Sequence, residues 1–159
     1  MTTETVSSGA KRPLYTPEQR KRRDASVWTT VQGVLAPIQF VACAISIGFV
    51  LRYLWTGEGY GIATASIIVK TGLLYTIMVT GAIWEKVVFG QYLLAPGFFW
   101  EDMVSFAVIA IHTAYLWALF NGVDPVTQMA IALVAYTLYI INAAQFVWKL
   151  RVARLEGRL

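Results

Sequence analysis

Apolar positions in this chain neither alternate nor keep to one helical stripe. They come in four long stretches, Val27–Trp55, Ile62–Trp84, Met103–Asn121 and Val126–Trp148. Each meets the roughly 17–25 residues needed to cross a hydrocarbon core of about 30 Å. A soluble bundle would give its helices polar faces, which these stretches lack. The pattern therefore predicts an all-α integral membrane protein with four transmembrane helices. Short, turn-rich connections separate the spans, among them TGEGYG (56–61) and NGVDP (121–125). In the second, Gly122 can stop a helix, and Asp124 can cap the next with Pro125 in its first turn. Pro37 falls inside the first span and is expected to kink it. Upstream, Thr16-Pro17-Glu18-Gln19 fits a capping box, which predicts a short, basic, amphipathic helix at the membrane surface. Residues 1–14 are expected to be a disordered N-terminus, leaving 15–155 as a single four-helix transmembrane domain.

Charge orients the spans. Six of the 13 Lys and Arg residues precede the first span (Lys11, Arg12, Arg20, Lys21, Arg22, Arg23), and four follow the last (Lys149, Arg151, Arg154, Arg158). Lys86 lies in the middle connection, whereas the first and third connections offer only Arg52 at a helix end. By the positive-inside rule both termini and the Trp84–Asp102 connection face the cytoplasm. The predicted location is a multi-pass protein of the inner membrane, cytoplasmic or intracytoplasmic. The net charge of +4 then reflects topology and anionic lipid. No nucleic-acid partner is expected, because no basic face comes with a nucleic-acid fold. No cleavable signal peptide is expected either, since the first apolar run starts late and is too long. A lone Cys43 excludes a disulfide framework and a cysteine metal site.

The segment TGAIWEKVVFGQYLLAPGFFWEDMVSF (80–106) gathers two Trp-Glu pairs, Trp84-Glu85 and Trp100-Glu101, each followed by another charge. With Phe89, Tyr92, Phe98 and Phe99 it is too apolar for a free loop. It is expected to lie in the interface or to dip back under a cover of protein.

Polar groups inside a bilayer are expensive, so each is a site hypothesis. At about 1.5 Å per residue, Lys70 lies roughly 12 Å below the outer end of its helix, near the depth of His112. Gln32, Asn142, Gln145, Glu85, Glu101 and Asp102 fall in the inner third, which suggests a cytoplasm-facing polar cavity. Glu101, Ser105 and His112 share one stripe of the third span, with Tyr115 nearby; Asn142, Gln145 and Lys149 share one side of the fourth. Plainer readings stand beside these. The charges also fit a solvated interface, the tryptophans an aromatic belt, and His112, Asn142 and Gln145 interhelical hydrogen bonds. One histidine excludes a bis-histidine cytochrome, and no phosphate loop, nucleophile elbow or metal-ligand spacing occurs. A small membrane enzyme using carboxylates and an imidazole, a small carrier and a structural subunit all remain open.

Several runs carry a resemblance. YTPEQRKRRDAS (15–26), VQGVLAPIQF (31–40), LRYLWTGEGY (51–60), KTGLLYTIMVTGAIWEKVVFG (70–90), FFWEDM (98–103), HTAYL (112–116), NAAQF (142–146) and KLR (149–151) resemble the 3-vinyl (bacterio)chlorophyllide hydratase family of bacteriochlorophyll biosynthesis. The resemblance implies a hydro-lyase that adds water to the ring-A vinyl group of a (bacterio)chlorophyllide, giving a 1-hydroxyethyl group. A dehydrogenase then makes the acetyl group, so neighbouring pigment-biosynthesis enzymes are expected partners beside substrate and lipid bilayer. Protonating the terminal vinyl carbon leaves a cation spread over the macrocycle, so no cofactor and no metal is expected. The site needs an acid, a base that orients water, and a negative field. Glu101 or Glu85 is the expected acid, and Asp102 or His112 the acceptor of the water proton. Asn142 and Gln145 are expected to hold water or ring carbonyls. Trp84, Phe98, Phe99 and Trp100 would flank the macrocycle, with Lys70 as a further binding residue. The substrate's propionate would point toward Lys86, Arg22 or Arg23. The alternatives within this reading are a non-catalytic pigment carrier and a subunit of a pigment-synthesis complex.

Overall fold

The computed structural model describes residues 12–158. Of the N-terminus expected to be disordered, residues 1–14, positions 1–11 lie outside them. Five helices run in order: α1 (Pro17–Ala25), α2 (Val27–Thr56), α3 (Tyr60–Phe89), α4 (Phe99–Phe120) and α5 (Pro125–Glu156), with no strand among the described residues. The last four are long and apolar enough to cross a membrane. α2 packs along α3 and α4 along α5, and contacts of α2 with α5 and of α3 with α4 close a four-helix ring.

Local chemistry sets the helix ends. Thr16 Oγ1 accepts from Gln19 N–H at 3.2 Å and Gln19 Oε1 accepts from Thr16 N–H at 2.9 Å, completing the predicted capping box of α1. Ser26 ends α1 and starts α2, its hydroxyl accepting from Trp28 N–H. α2 and α3 end at Gly57 and Gly90, whose φ of 73° and 86° a residue with a Cβ rarely adopts. Asp124 caps α5 ahead of Pro125, as expected. Pro37 lies within α2, which continues through it.

The long helices outrun the expected spans at the end that carries the N-terminal segment. α3 runs on to Phe89 rather than stopping at Trp84, α4 starts at Phe99 rather than Met103, and α5 reaches Glu156 rather than Trp148. Thirty residues make about 45 Å of helix, more than a hydrocarbon core of about 30 Å. Hydropathy marks where lipid contact stops, and these helices continue because their end turns pack on protein. Tyr15, Val88, Phe98 and Ala153 form a second small core there, apart from the main one. Leu14 N–H donates to Glu156 Oε2 at 3.3 Å, which ties the N-terminal segment to α5.

The outside of the bundle is apolar in the way lipid requires. Phe40, Ile45, Val69 and Val79 are more than half exposed. Trp55, Trp117 and Phe120 stand out at one end, and Trp100 and Trp148 at the other, as two aromatic belts. Inside, Ala63, Ala118, Ala132 and Ala135 are fully buried, and such small residues let transmembrane helices approach closely.

Candidate functional site

The connection between α3 and α4 shrinks to Gly90–Phe98, folded back beneath the helix ends with Ala95 and Phe98 buried. Glu85, Glu101 and Asp102 therefore sit on helices, not in a loop. A buried connection must find partners for its own N–H groups. Leu94, in the left-handed region at φ 59°, donates its N–H to Asp102 Oδ2 at 2.8 Å. Ala95 donates to Glu85 Oε2 at 3.3 Å. Both carboxyl groups are buried, and they adjoin each other beside the two peptides they hold. Holding a non-glycine residue in this conformation costs about 1–2 kcal/mol, and the bond to Asp102 offsets it.

Glu101 is occupied differently. Lys149 reaches across from α5, its Nζ 2.9 Å from Glu101 Oε2 and 2.6 Å from the Gly97 carbonyl. Asn142 Nδ2 donates to the Glu101 carbonyl at 2.9 Å and lies 3.4 Å from Gln145 Oε1. Ser105 Oγ lies 2.9 Å from Asn142 Oδ1. The predicted stripes are present: Glu101, Ser105, His112 and Tyr115 are all buried on α4, and Asn142, Gln145 and Lys149 share a face of α5. Lys149 completes the cluster, and the position seven residues after Asn142 was its only signal in the sequence.

Around the carboxylates the aromatics divide. Phe98 packs edge-on to Trp84 and Phe89 at 5.6 and 5.7 Å and stacks on Phe146 at 5.8 Å. Trp84 Nε1 donates to Thr29 Oγ1, and Tyr15 stacks on Phe89. Burial pushes the Tyr15 hydroxyl above its ordinary pKa even with the Arg23 guanidinium over its ring. Phe99 and Trp100 point outward and are 39% and 70% exposed. The four aromatics thus form an interior cluster and a surface pair rather than one slot.

His112 and Lys70 stand apart. From residue 102 to residue 112 is about 15 Å along α4. Both residues are wholly buried near Tyr136, at the similar depth the sequence suggested. Gln32 is separate again, donating to Thr80 Oγ1 at 2.7 Å. The polar residues of the inner third therefore satisfy one another rather than lining one open cavity. Two shallow grooves lie elsewhere: about 320 Å³ between α2 and α3 beside Ser66, and about 340 Å³ beside Tyr75 and Thr80. Lys86, a suggested partner for an acidic substituent, is exposed and donates to Gly90 O, while Arg23 pairs with Asp24. Among the described residues no three His, Cys, Asp or Glu side chains converge as metal ligands.

Comparison with known proteins covers nearly the whole chain. The family model described as 2-vinyl bacteriochlorophyllide hydratase matches residues 15–152. A protein of that name from Cereibacter sphaeroides is 69% identical over 152 residues, 96% of this chain and 95% of the relative. Another from Rhodobacter capsulatus is 66% identical over 148 residues, 93% of this chain and 86% of the relative. No solved structure matches.

Proposed function

The chain belongs to the 2-vinyl bacteriochlorophyllide hydratase family, and we propose that its chemistry takes place at the Glu85–Asp102 pair. The 2-vinyl group in the relatives' names and the 3-vinyl group are the same ring-A substituent under two numbering schemes. The reaction adds water across that vinyl group and leaves a 1-hydroxyethyl substituent. Near-full-length identity of 69% supports the activity. The observation that carries the site is an adjoining pair of buried carboxyls beside a third that already has its cation.

Two adjoining buried carboxyls favour one shared proton over two negative charges, so the pair holds one proton. That proton goes to the terminal vinyl carbon, where the π electrons form the new C–H bond. The cation left on the inner carbon is shared with the macrocycle. Water bonds to that carbon and loses a proton to the carboxylate pair, which restores the acid. Glu101, held by Lys149, supplies the negative field that favours the cation. Asn142 and Gln145 fix the turn that carries Glu101. His112 and Lys70 lie too deep for the same step.

Access requires the Gly90–Phe98 connection to give way, because Leu94 and Ala95 cover both carboxyls. Phe99 and Trp100 then offer apolar faces at the bundle edge, with Trp84 and Phe98 backing the connection. The distribution of basic residues supports a cytoplasmic position for this end and a location in the inner membrane, in contact with lipid. Its product is an alcohol suited to oxidation, so we place neighbouring pigment-synthesis enzymes among its partners.

The test is direct. Membranes from a host lacking the pathway, carrying this protein, are incubated with 3-vinyl chlorophyllide, and mass spectrometry tracks the gain of one water. The wild type should hydrate; Glu85→Gln and Asp102→Asn should each slow the reaction by about 10²–10⁴-fold, the usual scale of a lost acid or base. Wild-type rates in both variants would remove the pair from the mechanism. Pigment bound by the wild type but never hydrated would instead mark a carrier.

A further inference from the structure

Of the buried polar atoms without a hydrogen-bond partner among the described residues, three gather midway along the bundle around one pair of tyrosines: Lys70 Nζ, His112 Nε2 and Gln39 Oε1. Their residues are 0%, 1% and 3% exposed. They come from α3, α4 and α2, and they meet around two tyrosines of α5. Lys70 Nζ is 3.6 Å from the Tyr139 ring centroid and 5.9 Å from that of Tyr136. The His112 ring is 5.8 Å from Tyr136, and Gln39 faces Tyr139. Cys43, one turn beyond Gln39, adjoins Lys70. Neither ion pair among the described residues involves Lys70.

Unpaired polar atoms at this depth are costly, at about 1–3 kcal/mol each. Their hydrogen-bonding roles can be assigned. His112 Nδ1 lies 2.7 Å from the Val108 carbonyl, which only accepts, so Nδ1 carries a hydrogen, and in the neutral ring Nε2 is then an acceptor. Gln39 Oε1 is a second acceptor, and Lys70 is a donor. A carboxylate or a halide would suit Lys70 but would set negative charge against both acceptors. A group that accepts once and donates twice suits all three, and that group is water. Buried waters typically make about three such bonds to otherwise unsatisfied atoms.

We propose that Lys70, His112 and Gln39 form an internal water-binding site in the middle of the membrane-spanning bundle. It sets water on the same buried stripe of α4 that carries Glu101 and Asp102, about 15 Å further along. The inference rests on polar groups that must be satisfied and stands independently of the hydratase chemistry.

His112 is the chain's single histidine, so ¹⁵N-histidine labelling gives one residue's signals. Solid-state NMR of the protein in lipid bilayers then reads magnetisation transferred from water protons to the ring. The expected result is a neutral ring with hydrogen on Nδ1 and clear transfer from water to Nε2. In Lys70→Met, which keeps the side-chain volume, the transfer should be lost; in Gln39→Leu it should fall several-fold. A wild-type ring that receives nothing from water overturns the proposal. So does transfer undiminished in both variants. If Lys70→Met does not fold, the wild type and Gln39→Leu decide.

Discussion

Replacing Lys149 by methionine tests the physical logic of the carboxylate cluster most sharply. The substitution keeps most of the side chain's volume and removes two contacts, to Glu101 Oε2 at 2.9 Å and to the Gly97 carbonyl at 2.6 Å. It also leaves the Glu101 carboxylate, 6% exposed, without a cation. Breaking a fully buried pair in this way costs about 3–5 kcal/mol. The Lys149 side chain is 29% exposed, so solvent reaches part of the site, and about 2–3 kcal/mol is the better expectation after screening. Glu101→Gln removes the charge but keeps an acceptor, at about 1–2 kcal/mol. The double variant should be less destabilised than the sum of the two by about 1–2 kcal/mol, because the uncompensated charge is gone. Both arms of the cycle that lack Lys149 also lack the Gly97 bond, so that bond cancels and the pair is isolated. The assay is equilibrium unfolding in mixed micelles, with the midpoint read at constant slope. A coupling below about 0.5 kcal/mol would mean that the two groups do not sense each other, and the idea that Lys149 anchors the Glu101 carboxylate would go with it.

Three other contacts have measurable consequences. Asn142→Leu removes the amide bonds to the Glu101 carbonyl and the Ser105 hydroxyl, which keep only each other, and should lower unfolding stability by about 1–3 kcal/mol; an unchanged midpoint would show that these bonds add nothing to the fold. Thr16→Ala opens the capping box and should cost α1 about 1 kcal/mol, read as faster amide exchange over Pro17–Ala25 with α2 unchanged. Asp124 accepts from Thr127 N–H and from its hydroxyl, which hold its carboxyl below the ordinary value in the folded state. The stability this cap gives is therefore present above the unfolded value and is lost as pH falls through the lower folded one. Amide exchange at Thr127, compared with Asp124→Asn at each pH, should show protection fall with acid only in the wild type.

Sequence alone determined the features that depend only on near neighbours and on the solvent around one helix. Four runs long enough to cross a bilayer cannot hide their backbone any other way than as helices. Thr16 and Asp124 sit where helix ends need them, because capping is a matter of neighbouring residues. Helical period alone put Glu101, Ser105 and His112 on one stripe of α4, and Lys70 and His112 could be matched in depth by counting turns. Counting turns could not say how each helix is rotated about its axis or where it ends once lipid contact is gone. The expected spans stop beside Glu85, Asp102 and Lys149, whereas α3, α4 and α5 continue, because Tyr15, Phe98 and Ala153 pack together and Glu101 finds Lys149. That choice turned Glu85 and Asp102 onto the backbone of Leu94 and Ala95, gave Glu101 to Lys149, and sent Phe98 inward but Trp100 out. It also separated His112 from the carboxylates, since one stripe can run through two polar centres. These are contacts between residues far apart in sequence, and only packing the helices together brings them into reach.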